Sequence, residues 1–522
     1  MNLGFASPGT LPAAVLPDDA VALQGLSVYR FASAGYATRG TDTPAHTLYP
    51  PRLLGDVEIG QSAIDAVGLG GRVSITIGDI DVWNGDRGLA DPARYGTSDG
   101  RTVTIRTAVV LDSRASDVGT PLANTSVAWA GIVRSITDAE NQRIRLSVVD
   151  IAERLATPLQ TTRYGGTGGM DGPAALKDKP KPVALGRLYN ISPVALGNID
   201  LGDGALPTYQ THWRAVVAHD AVRIRGVAQT AVGTAPSVGQ FRDWPAQGAF
   251  QIGSTPDGAV TADVRGDNTP VYVSSIGGII RRLVQSLGPL FADTDISSDA
   301  FAFADTDIPG EIGWYRGATD TTAASGVEEI LAGSGAILSG GRGGLLRLFD
   351  PLAIDAAQFV LQAPFLISLE PGQLPAGLRP LPRAVAVEWR RNWSPSTDLA
   401  GSVADTERAQ LQGTFSGPAR AASVAITARV AQQREMRLPG LYWAEADALA
   451  RAVKWRAWLE AGPRVFQATT DRYLGQIECG DIGTLIYPAY GLEAGALCVV
   501  VGWREALAGR RLTLTVATLP EG

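Results

Sequence analysis

The stretch YGGTGGMDGPAALKDKPKP, residues 164–182, sets five glycines and three prolines among three of the chain's four lysines. Glycine-rich loops followed by lysine bind phosphate when backbone N–H groups and the ammonium converge on it, which requires G-x-x-x-x-G-K-[ST]. Here Gly172 is followed by Pro173 and the next lysine is Lys177. Gly166 and Gly168 would need a third glycine where Asp171 stands to form a dinucleotide loop, and no apolar strand leads in. The segment therefore reads as a flexible linker, its alternation of Lys177, Lys179 and Lys181 with Asp178, Pro180 and Pro182 giving a stiff, extended spacer. Gly96 to Gly100 match G-x-S-x-G, but a nucleophile elbow needs a strand before and a helix after. Polar residues 91–95 precede it and strand-like Thr102–Arg106 follows, so a hairpin turn is expected. Asp293, Asp295 and Asp299 imitate a calcium loop whose sixth and twelfth positions are Ser298 and Ala304 instead of Gly and Glu. His46, His212 and His219 have no zinc spacing, and Cys479 and Cys498 form neither a metal pattern nor a disulfide framework. No cofactor, metal or catalytic residue is expected. Carboxylate pairs of the glycosidase type remain open, because 52 Asp and Glu give no spacing that identifies a pair.

The elements that carry these residues are mainly strands. The chain has 522 residues, enough for three or four domains, and 45% are hydrophobic, enough for packed cores. Its 61 glycines and 32 prolines are aperiodic, which suits many turns between short strands. The net charge of −7 and the lack of a basic run argue against a general nucleic-acid binder. The first residues lack a basic n-region, and no apolar run approaches the length of a membrane span; Ala496 to Trp503 has strand length.

Period-two alternation marks Val73, Ile75 and Ile77, then Val103 and Ile105. Ile132 and Ile136 face Ile144, Leu146 and Val148 across a polar turn at 138–142, and a short helix from Asp150 to Leu155 follows, capped by Asp150. Ile276, Ile279, Ile280, Leu283 and Val284 follow helical spacing. A second helix is expected at Ala323–Ala332, ahead of a hairpin turn at Gly340–Gly344. The longest helix, Ala444–Ala461, carries Ala448, Ala452, Trp455 and Leu459 on one stripe and stops at Gly462-Pro463. Strands follow at 465–470, 482–487, 497–503 and 511–517, and Trp443, Trp455 and Trp458 are expected in the core.

Several segments, in order, resemble the baseplate or tail-tip hub proteins of long-tailed bacteriophages and gene transfer agents. They are WAGIVRSITDAENQRIRLSVVDIAERLATPL (129–159), KPKPVALGRLYNISPV (179–194), STPDGAVTADVRGD (254–267), GWYRGATDTTAASGVEEILAGSGAILSGGRGGLLRLFDP (313–351), and the C-terminal helix with the strands from Ile477 on. The resemblance implies a multidomain, mainly β chain with α+β parts, containing tube-like β-barrels. Expected divisions are an N-terminal barrel at 1–163, a Gly/Lys/Pro linker at 164–182, a second β-rich domain at 183–274, an α+β domain at 275–370 and a C-terminal domain at 371–522. It implies a non-enzymatic virion protein at the tail tip, assembled in the host cytoplasm as a homotrimer. Implied partners are the distal tail or tail tube protein, the tape measure protein and downstream tip or fibre proteins, with genomic double-stranded DNA passing through an acidic lumen unread. Host recognition and wall digestion would fall to separate proteins. Lys177, Lys179 and Lys181 are the candidate interaction residues. The competing reading is a β-rich carbohydrate-active enzyme or adhesin acting on surface polysaccharide.

Overall fold

The computed structural model describes residues 2–6, 28–33, 35–64, 69–89, 100–107, 121–139, 142–432, 434–471, 477–507 and 511–520. These residues form a mainly β protein of several sheets with six α-helices among them.

One sheet runs, in spatial order, through Arg30–Ala32, Asn2–Ala6, Thr102–Thr107, Ser126–Ala139, Arg143–Val149, Ile80–Trp83 and Leu53–Leu54. Its two edges approach each other: Ala32 pairs with Pro51, just before the edge strand Leu53–Leu54, and donates its N–H to Pro50 O at 2.8 Å, so the sheet curls into a half-barrel. Alternation decides what fills it. Val103, Ile105, Ile144, Leu146 and Val82 are buried and alternate with more exposed neighbours, and Trp129 and Val133 are buried with them. Two five-stranded sheets follow, one centred on Val183–Ile191 and Val260–Asp267, the other on Ala205–Gln210 and Ala249–Ile252. Phe241, Phe250, Val222 and Val264 pack between them.

The largest sheet gathers strands from distant parts of the chain. The hairpin of Glu58–Ile64 and Leu69–Ile77 joins it between Ile337–Gly340 and Leu492–Ala506. Arg511–Thr518, Val465–Thr470 and Ser368–Pro371 continue the sheet, and Ile482–Tyr487 pairs with Phe359–Gln362 and with Leu492–Ala506.

Helix α1 (Ile276–Ser286) begins where Ser275 Oγ accepts the Gly278 N–H at 3.2 Å, and its five apolar positions are buried as their spacing predicts. Helix α2 spans Ser298–Asp307. Helix α3 (Ala323–Ser334) runs two residues past its expected end and stops at Gly335, whose φ of 69° and contact with Trp455 leave no room for a side chain. Helices α4 (Asp405–Gln412) and α5 (Val424–Arg429) lead to α6 (Glu445–Glu460). On α6 the stripe Ala448, Ala452, Trp455 and Leu459 is buried, with Trp458 edge-on to Trp455 at 5.7 Å. The hairpin turn expected at Gly340–Gly344 joins Ile337–Gly340 to Leu346–Phe349.

Two local expectations change. The helix after Val149 is a 3₁₀ turn, Ile151–Ala156, and the side chain of Asp150 makes no capping bond to it. Asp150 instead lies against Gly340, and burial pushes its carboxyl up to about 6. A carboxyl raised on folding contributes stability below its unfolded pKa and loses it as pH rises through the folded value. Asp150→Asn is therefore expected to stabilise the protein by about 1–2 kcal/mol at neutral pH, with no gain near pH 4. Paired thermal melts at the two pH values check it. The second change falls in residues 164–182.

Candidate functional site

The glycine–lysine segment is a closed loop, not an extended spacer. Tyr164 N–H bonds Lys179 O, Asp178 N–H bonds Tyr164 O and Lys181 N–H bonds Thr162 O, each at 2.9 Å, so the two ends are zipped together. Within the loop, Asp171 accepts the Gly165 N–H at 3.0 Å and the Thr167 hydroxyl at 2.9 Å, with the Lys181 ammonium 3.6 Å away. These donors, led by Gly165 and Thr167, hold the Asp171 carboxyl below the usual range. Gly166 N–H goes to Asp171 O and Gly168 N–H to Gly172 O. The amides that a phosphate would need are thus already taken by the loop itself. Gly166 has a φ of 73°, and a Cβ there would lie 2.8 Å from that of Lys177, which explains the glycine.

The three lysines separate. Lys181 turns inward, its ammonium 3.3 Å from Met170 O and 5.2 Å from the centre of the Tyr164 ring. Lys177 and Lys179 are exposed on the outside of the loop. The 3₁₀ turn Gly169–Asp171 packs on the strand Val194–Asp200. Tyr164, buried beneath, donates its hydroxyl to Gln210 Oε1 at 2.6 Å.

Two buried histidine clusters lie in the sheets nearby. Asp243 Oδ1 lies 2.6 Å from His219 Nδ1, and His219 Nε2 lies 2.8 Å from Thr211 Oγ1. This has the order of a nucleophile, base and orienting acid, and no spacing in the sequence marks it. Thr211 and the His219 side chain are 0% exposed, however, and the hydroxyl also bonds Gly248 O at 3.1 Å. A substrate reaches it only if the sheet opens. His212 accepts the Ala184 N–H on Nδ1, so its proton sits on Nε2, 3.4 Å from Asp267. Burial alone would raise the Asp267 carboxyl, but bonds from His212 and Arg214 outweigh it and hold the group far below the usual range. Arg282, on α1, also bonds Asp267, at 2.6 Å, which ties the helix to the preceding β-sheet.

Asp293 and Asp295 do not converge. Asp293 pairs with Arg281 and Gln285, and Asp295 with Arg154 and the Ala292 N–H. Among the described residues no group of three His, Cys, Asp or Glu is placed to hold a metal. Cys479 and Cys498 are free and buried, and burial pushes the Cys498 thiol up to about 12. Of the G-x-S-x-G match, residues 96–99 lie outside the described residues. Trp455 and Trp458 are core, as expected, but Trp443 is only partly buried, with the Arg187 guanidinium 4.3 Å from its ring centre. No helix among the described residues is long and apolar enough to cross a membrane.

No protein-family model matches the chain, and no curated protein does. Among solved structures, it is similar to the gene transfer agent virion, at 11% identity and a TM-score of 0.44 over 66% of this chain and 85% of that one. It is also similar to the 43 kDa tail protein of prophage MuSo2 from Shewanella oneidensis, at 10% identity and a TM-score of 0.35 over 90% and 94%. A third is the tail protein from Neisseria meningitidis MC58, at 9% identity and a TM-score of 0.36 over 91% and 94%. Overlaps this low carry no assignment by themselves.

Proposed function

We propose that this chain is a structural protein of a phage or gene-transfer-agent tail, acting as the hub of the tail tip or baseplate. In this reading it extends or closes the tail tube as a homotrimer, attaches to the distal tail or tail tube protein, and meets the tape measure and downstream tip or fibre proteins. Double-stranded DNA passes through its lumen at ejection without sequence-specific contact. It works in the virion, after assembly in the host cytoplasm, and is not an enzyme.

The observation that carries the reading is the join between half-barrel and large sheet. The segment 129–159, which resembles the family's barrel-closing hairpin and helix, forms adjacent strands of the half-barrel and the turn after them. The hairpin Glu58–Ile77 then leaves that half-barrel to pair with Leu492–Ala506. A barrel-like sheet joined by strand pairing to a broader body suits a component that works within a larger assembly.

Cryo-electron microscopy of particles carrying a tag on this chain tests the placement: density at the tail tip with threefold symmetry is expected. A strictly monomeric protein that releases reducing sugar from bacterial polysaccharide would establish the carbohydrate-active alternative instead. The exposed Lys177 and Lys179, with Lys181 supporting their loop, are proposed as a subunit contact. Replacing all three with Ser is expected to lower tail assembly at least tenfold while leaving the monomer's circular dichroism unchanged. Normal infectious titres from the triple variant would refute that contact.

A further inference from the structure

An open cleft of about 360 Å³ lies where the second β-region meets the C-terminal α/β unit, lined by Tyr189, Arg223, Asp263, Arg390, Glu407 and Trp443 among others. Most arginines around it have partners. Arg187 bonds Glu311 at 3.3 Å, Arg223 grips Asp263 through two bonds of 2.7 and 2.8 Å, and Arg391 bonds Glu329. Arg390 differs. Among the described residues neither an ion pair nor a hydrogen bond reaches its guanidinium, whereas Arg187 and Arg223, whose Nε also lacks a hydrogen bond, are held by carboxylates. Its guanidinium is held by rings instead, 4.7 Å from the centre of Trp389, 5.1 Å from Trp443 and 5.9 Å from Tyr189.

The backbone contributes as well. Arg390 sits in the strand Ala384–Arg391 with a φ of 45°, a conformation rare for a side-chain-bearing residue and rarer within a strand. Strain of this kind persists where the surroundings impose it, and it collects at binding sites. A guanidinium flanked by three rings, with its N–H groups unused, is available for one planar anion, a carboxylate above all. Across the cleft Glu407, 3.5 Å from Arg223 Nε, offers an acceptor for an N–H or O–H beside that anion. The Trp443 ring is approached by both Arg187 and Arg390, which leaves it poorly placed to stack on a sugar ring.

We propose that this cleft docks an acidic segment of a neighbouring protein chain, one Asp or Glu carboxylate forking onto Arg390 while the segment's backbone N–H reaches Glu407. The inference deepens the assembly reading above, since it supplies a specific contact for a protein that works among other subunits.

The test is a ligand-observed NMR titration of the full chain with the capped dipeptide N-acetyl-Asp-Glu-amide. The amide analogue N-acetyl-Asn-Gln-amide, galacturonate and inorganic phosphate are run beside it. The acidic dipeptide is expected to saturate with a Kd below roughly 10 mM, and the amide analogue not to bind. Arg390→Gln should weaken binding at least about tenfold, and Arg390→Lys nearly as much, because the fork is lost even though the charge stays. Equal binding of the amide analogue, an unchanged affinity in a folded Arg390→Gln protein, or no saturation would overturn the proposal. Tighter binding of galacturonate or phosphate would overturn it too, assigning the cleft to a glycan or to a free anion. The wild-type comparison holds even if the variants misfold. A virion without this chain at its tail tip would remove the hub reading and leave the dipeptide result standing, so the two fail separately.

Discussion

Replacing Asp350 with Ala is expected to cost about 3–5 kcal/mol, as loss of one partner from a buried ion pair does. The Asp350 side chain is 0% exposed. Both of its oxygens accept from Arg451, at 2.7 and 2.8 Å; Lys454 adds a bond of 2.7 Å, and the Leu352 N–H one of 3.0 Å. Arg451 lies on α6 and also bonds Ser334 O at the end of α3, so one carboxylate fastens two helices to the end of the strand Leu346–Phe349. Alanine would leave the Arg451 guanidinium, 3% exposed, without its counter-ion. Burial by itself would raise the Asp350 carboxyl, and Arg451 followed by Lys454 outweighs it, so the folded pKa lies below the ordinary value. The contribution of the cluster is then present at neutral pH and lost as pH falls through the carboxylate range. The deficit of Asp350→Ala against the natural protein should narrow on acidification. Calorimetry at neutral and acid pH, with the apolar pair Asp350→Leu and Arg451→Met as a control, decides the matter. If the double variant is as unstable as the single one, packing lost at this point and not the orphaned charge is responsible.

Local pattern and long-range pairing differ in how well the sequence displays them. The strands at 465–470 and 482–487 coincide with Val465–Thr470 and Ile482–Tyr487 because turn residues bound short apolar runs. Helix α1 was legible for a similar reason, five apolar residues on one face. Helix α4 was not, since only Leu411 among its residues is buried and its polar surface resembles a loop. The destination of the hairpin Glu58–Ile77 was equally hidden. Its pairing of Ser62 with Gly502 joins residues that no local periodicity connects. The same holds for the site residues. Glycine and lysine content in 164–182 pointed to a flexible spacer, whereas the loop is zipped by backbone bonds at its ends and filled by one carboxylate, Asp171, meeting donors on both sides of it. Thr211, His219 and Asp243 come together only through sheet geometry, and Arg390 declares itself only by the partner it lacks.

Arg342→Ala should be almost as damaging as the loss of Asp350, and its effect should be spread across three regions. Arg342 sits at the tip of the hairpin formed by Ile337–Gly340 and Leu346–Phe349, with its side chain 3% exposed. Its guanidinium lies 3.6 Å from the centre of the Trp503 ring, bonds Ile477 O at 3.0 Å through Nε and pairs with Glu505. Its backbone carbonyl takes the Ala130 N–H of the half-barrel at 2.6 Å, and Gln61 of the long hairpin bonds Gly340 O and receives the Trp503 indole N–H. Half-barrel, long hairpin and C-terminal strands therefore meet at this one tip. Alanine removes the cation–π contact and leaves Glu505 without its cation, a loss of about 3–4 kcal/mol. Lysine keeps the charge but neither the fork nor the planar stacking, and should recover less than half. Hydrogen exchange read by mass spectrometry is the measurement. If the tip holds the three regions together, exchange should rise in residues 58–64, 126–131 and 499–506 at once. A rise confined to residues 341–344 would mean that the tip is a local ornament and that the half-barrel is fastened to the body by strand pairing alone.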